Sequence, residues 1–416
     1  MTTLNVRTIV LFLAFATASC SYQLPVQNPA PAKPMKKRIV LFFDGTRNVA
    51  RSGTNVSRLY EKVNRMEKGA DGVIQKAFYM EGVGTRMSDF FTGAAFGRGV
   101  SRNVRDGYEK LRSEFLPGDE IWLFGFSRGA FTARSLAGFI AQYGVLPDGA
   151  SLNVAQLYAD YREIKQSRPI YYINTLDSRE RTEFENTLVR ESQVTRIRFT
   201  GVWDTVGTIG LPWGNIKRIS ASENRFFELD PRAVYDECYQ ALAVDEQRPH
   251  YKPILWKSFV PGINRPENPD WPSTPKFEQR WFVGAHSNVG GGYRNPSDLF
   301  KVSLKWMEDK AAASGLGISD RQVLRGNEHL TPINDSFGEF FPYRIAPWIK
   351  RQPRPVQREP EPKTTKGGKH GWVITREEMI DDTVLDRLKR GGLKGETYNP
   401  PGLPDGLKQE SGVASD

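Results

Sequence analysis

A serine between two glycines, Gly125-Phe-Ser127-Arg-Gly129, most constrains what this chain can fold into. The apolar run Ile121–Phe124 before it indicates a buried strand, and Ala130–Ile140 after it carries apolar residues at helical spacing. A strand, G-x-S-x-G and a helix predict a tight turn that raises the serine hydroxyl at the carboxyl edge of a sheet. The pentapeptide alone is common by chance, so the flanking elements carry the prediction.

Apolar strand patterns and helical patterns alternate along the chain. Strands are predicted at Arg38–Phe43, Ala77–Met80, Arg196–Trp203 and Gln279–Ala285, and helices at Asn55–Lys68, Val104–Phe115, Tyr235–Val244 and after a capping box at Thr375–Glu378. Such alternation predicts an α/β fold, with a doubly wound, mostly parallel sheet and helices on both faces. Together with the serine turn, it indicates an α/β-hydrolase-like architecture.

Three chemically suited residues each follow a predicted strand. Ser127, Asp204 and His286 occur in the order nucleophile, acid and base that hydrolases of this architecture use. A serine needs an imidazole to take its proton, and the imidazole needs a carboxylate to orient it. His286 is the histidine that follows a buried strand, whereas Asp245 also lies between Ser127 and His286 and stays open as an alternative acid.

An oxyanion hole is expected from two stretches of backbone. The N–H of Arg128 directly follows the nucleophile. The second donor is expected from the loop Asp44-Gly45-Thr46, after the first predicted strand, where glycine permits close approach. We therefore predict that the N–H groups of Gly45 or Thr46 face the reacting carbonyl.

Composition narrows the classes of function. The 58 basic and 48 acidic residues give a net charge of +10, which favours a solvated basic surface or an anionic lipid surface. No basic run with interleaved aromatic residues has the density expected of nucleic-acid binding, and no cofactor or metal motif is found. The mean hydropathy of −0.51 argues against multiple membrane spans. The two cysteines give no internal disulfide framework.

The first 20 residues resemble a secretory leader. A charged start, the apolar stretch Ile9–Ala16 and small residues before Cys20 fit a bacterial lipoprotein signal, with Cys20 as the acylated first residue of the mature chain. Thr17 stands where that pattern prefers Leu, so an ordinary signal peptide is the alternative. Residues 21–37 are rich in proline and predict an extended tether. The expected location is the cell envelope, anchored by lipid, or outside the cell.

The folded part is expected to be a single domain over residues 38–405. The segment 350–370, rich in Pro, Arg, Glu and Lys, is predicted to be a flexible excursion from that domain. The polar residues 406–416 are predicted to form a disordered tail.

Several motifs together resemble one family over residues 38 to 405. They are Leu41-Phe-Phe-Asp-Gly-Thr46, Gly82-Val-Gly-Thr85, Leu123–Ala130, Gly201-Val-Trp-Asp-Thr-Val-Gly207, Asp245-Glu-Gln-Arg248 and His286-Ser-Asn-Val-Gly-Gly-Gly-Tyr293. The chain is similar to the α/β-hydrolase family that contains the type VI secretion phospholipase effectors. That resemblance implies ester hydrolysis in phospholipids by a triad that falls on Ser127, Asp204 and His286.

The chain departs from that family in two respects. Asn288 stands where the family usually has Asp, which puts any supporting role of that carboxylate in doubt. The predicted leader is atypical of injected effectors and favours a resident envelope hydrolase. The expected substrate is therefore a phospholipid or small ester at a membrane surface, with protein partners unknown. A small-acyl carboxylesterase or thioesterase, and a non-catalytic lipoprotein on a decayed hydrolase fold, are the alternatives.

Overall fold

A seven-stranded, all-parallel sheet organises the fold. Its strands are β1 (Lys37–Phe43), β2 (Ile74–Met80), β3 (Glu120–Phe126), β4 (Ile197–Trp203), β5 (Glu237–Ala243), β7 (Lys276–Phe282) and β10 (Glu378–Ile380). They lie in the order β2-β1-β3-β4-β5-β7-β10 across the sheet. A second, antiparallel sheet has the order β6-β9-β8, from β6 (Lys257–Pro261), β8 (Glu361–Thr364) and β9 (His370–Thr375).

This computed structural model describes residues 37–46, 48–82, 93–163, 168–207, 235–261, 276–294, 297–339, 348–356, 361–364, 370–375, 378–393 and 396–410. These residues belong to one compact unit. The predicted leader 1–20 with Cys20, the tether up to residue 36 and the end of the predicted tail lie outside them. No helix within the described ranges is both long and apolar enough to cross a membrane.

The helices flank the large sheet. They are α1 (Asn55–Asn64), α2 (Gly93–Glu114), α3 (Arg128–Tyr143), α4 (Val154–Glu163), α5 (Ile170–Ile173), α6 (Glu183–Glu191), α7 (His286–Gly290), α8 (Leu299–Ala313), α9 (Ser336–Glu339), α10 (Asp382–Arg390) and α11 (Asp405–Glu410). The sequence prediction of an α/β fold of the hydrolase type is confirmed. Helix α11 occupies the start of the segment predicted to be a disordered tail.

The central strands are buried on both faces, which explains their unbroken apolar sequences. Along β1, Ile39 and Leu41 join the core on one face, whereas Val40 and Phe42 join the core on the other. Helices α2 and α3 cover the first face, and α1 and α8 cover the second. Both faces of the sheet are therefore covered by helices, and the ends of the strands are where a polar site can form.

The chain order reverses between β1 and β3, because β2 lies on the far side of β1. In open parallel sheets a ligand binds outside the carboxyl ends of the strands at such a switch point. The segments that leave this edge are the loop Asp44–Thr46 after β1 and the turn at Ser127 after β3. The topology thus brings the two predicted oxyanion segments together.

Two predicted elements are corrected by the structure. Tyr235–Val244 was expected to be a helix, but Glu237–Ala243 is strand β5 between β4 and β7. The run is buried at every position, so its sequence has no amphipathic period that separates strand from helix. The capping box at Thr375–Glu378 does not begin a helix; the following helix, α10, begins after Asp381, whose side chain accepts the N–H of Thr383.

Candidate active site

Ser127 lies at a strained turn between β3 and α3. Its φ is 57°, a left-handed conformation that side chains rarely adopt, and its N–H donates to the Trp203 carbonyl at 2.9 Å. A Cβ on Gly129 would lie 2.0 Å from the Phe43 carbonyl oxygen, and one on Gly125 would lie 2.6 Å from the Ala130 Cα. The chain can therefore turn this tightly only with glycine on both sides of the serine.

Asp204 occupies the equivalent position after the neighbouring strand, β4. Its φ of 44° is also left-handed, and its N–H donates to the Ala241 carbonyl at 2.7 Å. The side chain is fully buried, and Oδ1 accepts the N–H of Ala243 at 3.1 Å. The backbone of β5 thus fixes one oxygen of this carboxylate.

His286 begins the short helix α7 and bridges the other two residues. Its Nε2 lies 2.8 Å from Ser127 Oγ, and its Nδ1 is hydrogen-bonded to Asp204 Oδ2. With the Nδ1 proton donated to the carboxylate, Nε2 is free to accept the serine proton. The ring packs against Phe126 at 4.7 Å and edge-on to Tyr251 at 5.0 Å between centroids. The structure therefore brings together the three residues that the sequence singled out.

The protonation states of His286 and Asp204 are set by burial and by neighbouring charges. Burial lowers the pKa of the His286 imidazole, although its hydrogen bond to the Asp204 carboxylate opposes that shift. Burial favours neutral Asp204, but the charge of Arg354 and the contact with His286 hold its pKa well below the usual range. At neutral pH the arrangement is thus an ionised carboxylate beside a neutral imidazole.

Asp245, the alternative acid, lies elsewhere. Its Oδ2 accepts the N–H of Gly284 at 2.7 Å and the hydroxyl of Tyr398 at 3.0 Å. Burial raises the pKa of Asp245 to about 6. Asp204 and not Asp245 is therefore the carboxylate that contacts His286.

The next residue, Glu246, supports the histidine from its backbone side. Glu246 Oε2 accepts the His286 N–H at 3.1 Å, and Oε1 accepts the Nε of Arg248 at 2.9 Å and the hydroxyl of Ser336 at 3.0 Å. The guanidinium of Arg248 lies 3.4 Å from the centroid of the Tyr251 ring, which in turn packs on His286. The sequence supplied Asp245-Glu-Gln-Arg248 only as a family motif, without these roles.

Asp44 organises the loop beside the serine. Its buried carboxylate accepts from the Gly45 N–H at 2.6 Å, from the Thr54 hydroxyl at 2.6 Å and from the Tyr79 hydroxyl at 2.5 Å. Burial raises the pKa of Asp44, and these donors oppose the rise. Asp44 is therefore a structural residue of the loop.

The predicted oxyanion donors are partly corrected by this arrangement. A Cβ on Gly45 would lie 3.4 Å from the Ser127 Cβ, so the loop does reach the serine. However, the Gly45 N–H already donates to Asp44. The N–H of Thr46, the next residue, is the remaining candidate in this loop. Arg128 is the first residue of α3, where N–H groups have no acceptor within the helix.

Asn288 ties the histidine turn to a distant loop. Its Oδ1 accepts the N–H groups of Ala285 and Asn334, both at 3.1 Å, and its Nδ2 donates to the Asn334 amide oxygen at 2.8 Å and to Ser297 Oγ at 3.0 Å. An amide can donate and accept in this way, whereas an ionised Asp could only accept. The departure from the family pattern thus has a structural use here.

Arg354 was not anticipated as a site residue. It is 3% exposed, and its Nη1 and Nη2 donate to the two carboxylate oxygens of Asp204 at 2.6 and 3.0 Å. It comes from the segment predicted to be a flexible excursion, so that prediction is corrected at Arg354, which is buried against Asp204, whereas residues 350–353 are exposed. Charged, proline-rich composition suggests solvent exposure, and only the fold reveals the buried partner.

No group of His, Cys, Asp or Glu side chains suited to a metal ion occurs in the described part of the chain.

The parallel sheet and the serine on a strained turn between β3 and α3 define an α/β-hydrolase-like protein. Residues 37–310 match the family model of the type VI secretion system (T6SS) phospholipase effector Tle1-like catalytic domain. The chain belongs to this family, and the resemblance seen in the sequence is confirmed.

The chain is also similar, at low sequence identity, to three other proteins. The uncharacterized protein YEL023C of Saccharomyces cerevisiae is 29% identical over 250 residues, covering 55% of this chain and 34% of that protein. A crystal structure of an uncharacterized protein from Pseudomonas aeruginosa is 17% identical, with a TM-score of 0.37, over 70% of this chain and 48% of that one. The Tle1 effector bound to the VgrG spike of the type VI secretion system is 20% identical, with a TM-score of 0.34, over 64% and 53%. This chain thus spans about a third of the yeast protein and about half of each solved chain.

Proposed function

We propose that this protein is a serine hydrolase that cleaves carboxylic ester bonds of phospholipids. The observation that carries the proposal is the continuous contact from Ser127 Oγ to His286 Nε2, 2.8 Å, and from His286 Nδ1 to the buried carboxylate of Asp204. The nucleophile, base and orienting acid stand in the arrangement that activates a serine in many unrelated hydrolases.

The reaction follows from these contacts. Ser127 Oγ attacks the ester carbonyl carbon while its proton passes to His286 Nε2, and Asp204 stabilises the imidazolium that forms. The tetrahedral intermediate collapses as His286 returns the proton to the departing alcohol oxygen, leaving an acyl group on Ser127. Water then attacks this acyl-enzyme, again giving its proton to His286, and the fatty acid leaves as the serine is restored.

Backbone donors stabilise the oxyanion in both steps. We assign this role to the N–H of Arg128 at the start of α3 and to the N–H of Thr46 in the loop that touches Ser127. Loss of one such donor typically lowers the rate by about 10²–10³-fold. The Asp44 contacts with Thr54 and Tyr79 hold that loop in place.

Phospholipid is favoured as substrate by membership of the phospholipase effector family. The predicted lipoprotein leader, with Cys20 as an acylation site, would keep such an enzyme at an envelope membrane, where one lipid signal and a basic surface together give stable attachment. We therefore propose a resident envelope enzyme. Replacing Cys20 by Ala should release the protein from the membrane fraction, and unchanged fractionation would contradict the anchor.

Turnover of defined substrates by protein lacking residues 1–20 tests the activity. Phospholipid vesicles and p-nitrophenyl esters of increasing acyl length should be hydrolysed by the wild type and not by Ser127→Ala. Preference for long chains and vesicles supports a phospholipase, whereas preference for acetyl or butyryl esters indicates a small-acyl esterase or thioesterase. Equal turnover by both proteins, or none by either, would refute the serine mechanism and leave a binding role on a hydrolase fold.

A further inference from the structure

Both oxygens of Asp204 are held by one guanidinium. Arg354 Nη1 donates to Oδ1 at 2.6 Å and Nη2 donates to Oδ2 at 3.0 Å, so the planar fork faces the planar carboxylate. Nη1 also donates to the Ala243 carbonyl at 3.0 Å, and Nη2 to the Tyr251 carbonyl. The guanidinium therefore cannot rotate without breaking bonds to both the acid and the backbone of the site.

The backbone presents this arginine rigidly. Pro353 and Pro355 flank Arg354, which restricts its backbone to extended conformations. The N–H of Val356 donates to the Gly402 carbonyl at 3.0 Å, and a Cβ on Gly402 would lie 1.9 Å from the Arg354 carbonyl oxygen. The segment that carries Arg354 thus packs closely against Gly402, and it lies beyond the residues that match the family model.

The charges around the His286–Asp204 pair balance. The titratable or charged groups that face the pair are Ser127, Glu246, Arg248, Tyr251 and Arg354. Two buried carboxylates, Asp204 and Glu246, oppose two buried guanidinium groups. With a neutral imidazole the cluster carries no net charge, and a proton on His286 adds one positive charge in a buried site.

We propose that Arg354 is a positioning residue of the catalytic triad, which fixes the rotation of the Asp204 carboxylate and keeps it ionised so that His286 presents Nε2 to Ser127. The inference rests on the proposed serine mechanism. It assigns two separable effects to one side chain: the fork geometry orients the carboxylate, and the positive charge disfavours protonation of the Asp204–His286 pair.

Two substitutions separate these effects. Arg354→Lys keeps a cation but lacks the planar fork, so kcat should fall while the acid limb of the pH profile stays in place. Arg354→Met removes both effects. Its kcat should fall by more than about 10-fold but by less than the roughly 10⁴-fold loss seen when a triad aspartate is disabled. Its acid limb should move to higher pH, because the imidazolium no longer faces a buried cation.

The measurement is kcat, KM and kcat/KM on a p-nitrophenyl ester from pH 5 to 9. The concentration of active enzyme is obtained by titrating the active sites with a phosphonate. Arg351→Met is the matched control, since Arg351 lies on the same segment, is exposed and pairs with Asp335 at 2.7 Å. It should retain wild-type kcat. Arg354→Met added to Asp204→Asn should have no further effect on kcat, because the arginine acts through that carboxylate.

A second readout does not depend on turnover. The low-field proton resonance of His286 Nδ1–H should be present in the wild type and shifted or lost in Arg354→Met, with the Arg354→Lys signal in between. An unchanged resonance in Arg354→Met would overturn the role of Arg354. So would an unchanged kcat in that variant together with an acid limb at the wild-type pH. If the wild type itself shows no Ser127-dependent turnover, the proposed function fails, while the resonance still tests the arginine.

Discussion

The main-chain N–H of His286 donates to Glu246 Oε2 at 3.1 Å, so the histidine that contacts Ser127 is fixed at its backbone by a buried carboxylate. The ring is fixed independently by Asp204 and by the Phe126 and Tyr251 rings. A catalytic base must keep its geometry within about 0.5 Å to act efficiently. These contacts from several separate chain segments supply that constraint.

Glu246→Gln should destabilise the protein at neutral pH and much less in acid. Burial favours the neutral acid, but Arg248 and its hydrogen bonds lower the pKa of Glu246 to about 2, against 4.5 for an ordinary Glu. A lowered pKa contributes stability above pH 4.5 that is lost as pH falls towards 2, here on the order of 3 kcal/mol. Urea unfolding at pH 7 and pH 3 measures the difference. The exposed Glu183→Gln serves as control, and an equal loss at both pH values would contradict the account.

Asp245→Asn should have the opposite effect, although the two acids are adjacent in sequence. The pKa of Asp245 is raised by burial to about 6, above its ordinary 3.8, so folding loses stability as pH rises through 6. Removing the charge should therefore increase the free energy of unfolding at pH 8 by on the order of 3 kcal/mol and have much less effect at pH 4. Urea unfolding at both values checks this.

The same variant separates the two acids by activity. Asp245→Asn should retain most of the ester turnover, because the Asp245 carboxylate accepts from Gly284 and Tyr398, whereas the His286 ring is hydrogen-bonded to Asp204. Asp204→Asn should lose about 10⁴-fold in kcat, since the imidazole tautomer is no longer fixed. The reverse pattern would restore Asp245 as the acid.

The three residues at the carboxyl edge of the sheet could be predicted from the sequence, but the residues that hold them in place could not. Ser127 and Asp204 could be predicted because each directly follows an apolar strand, and parallel strands end at a common edge. The strand expected at Gln279–Ala285 is Lys276–Phe282, so three residues lie between the end of β7 and His286, which still lies at that edge. The helix expected at Tyr235–Val244 failed because a strand buried on both faces has no period of two. Arg354 reaches Asp204 from 150 residues away in sequence, and local composition contains no signal for such a long-range buried pair.

The hydrogen bonds within the loop after β1 could not be predicted from the sequence either. Its proximity to Ser127 follows from the switch in strand order, but the capture of the Gly45 N–H by Asp44 depends on the rotamer of one side chain. Thr54 and Tyr79, which fix that rotamer, come from α1's cap and from β2. Sequence order alone does not bring those groups together.

Gly129→Ala should destabilise the protein at the turn that carries Ser127, whereas Gly406→Ala should have little effect on stability. A Cβ on Gly129 would lie 2.0 Å from the Phe43 carbonyl oxygen, and backbone cannot yield as a side chain can. Overpacking of this kind costs about 3 kcal/mol or more. A Cβ on Gly406 meets nothing within 4 Å. Thermal unfolding of the three proteins gives the comparison, and an unchanged midpoint for Gly129→Ala would show that the turn is looser than described.

Gly45→Ala should lower turnover without unfolding the protein. The added methyl would lie 2.9 Å from Asn48 Nδ2 and 3.2 Å from Phe126 Cδ1, both side-chain atoms that can shift, so the melting midpoint should stay close to wild type. It would also lie 3.4 Å from the Ser127 Cβ, in the space beside the nucleophile where the oxyanion forms. Because one oxyanion donor is worth about 10²–10³-fold, displacing the Thr46 N–H should reduce kcat by on the order of 10²-fold with little change in KM. Steady-state kinetics measures this kcat, with the concentration of active enzyme obtained by titration of the serine. An unaltered kcat would show that the loop after β1 does not contribute to the oxyanion hole, and Arg128 would be left as the assigned donor.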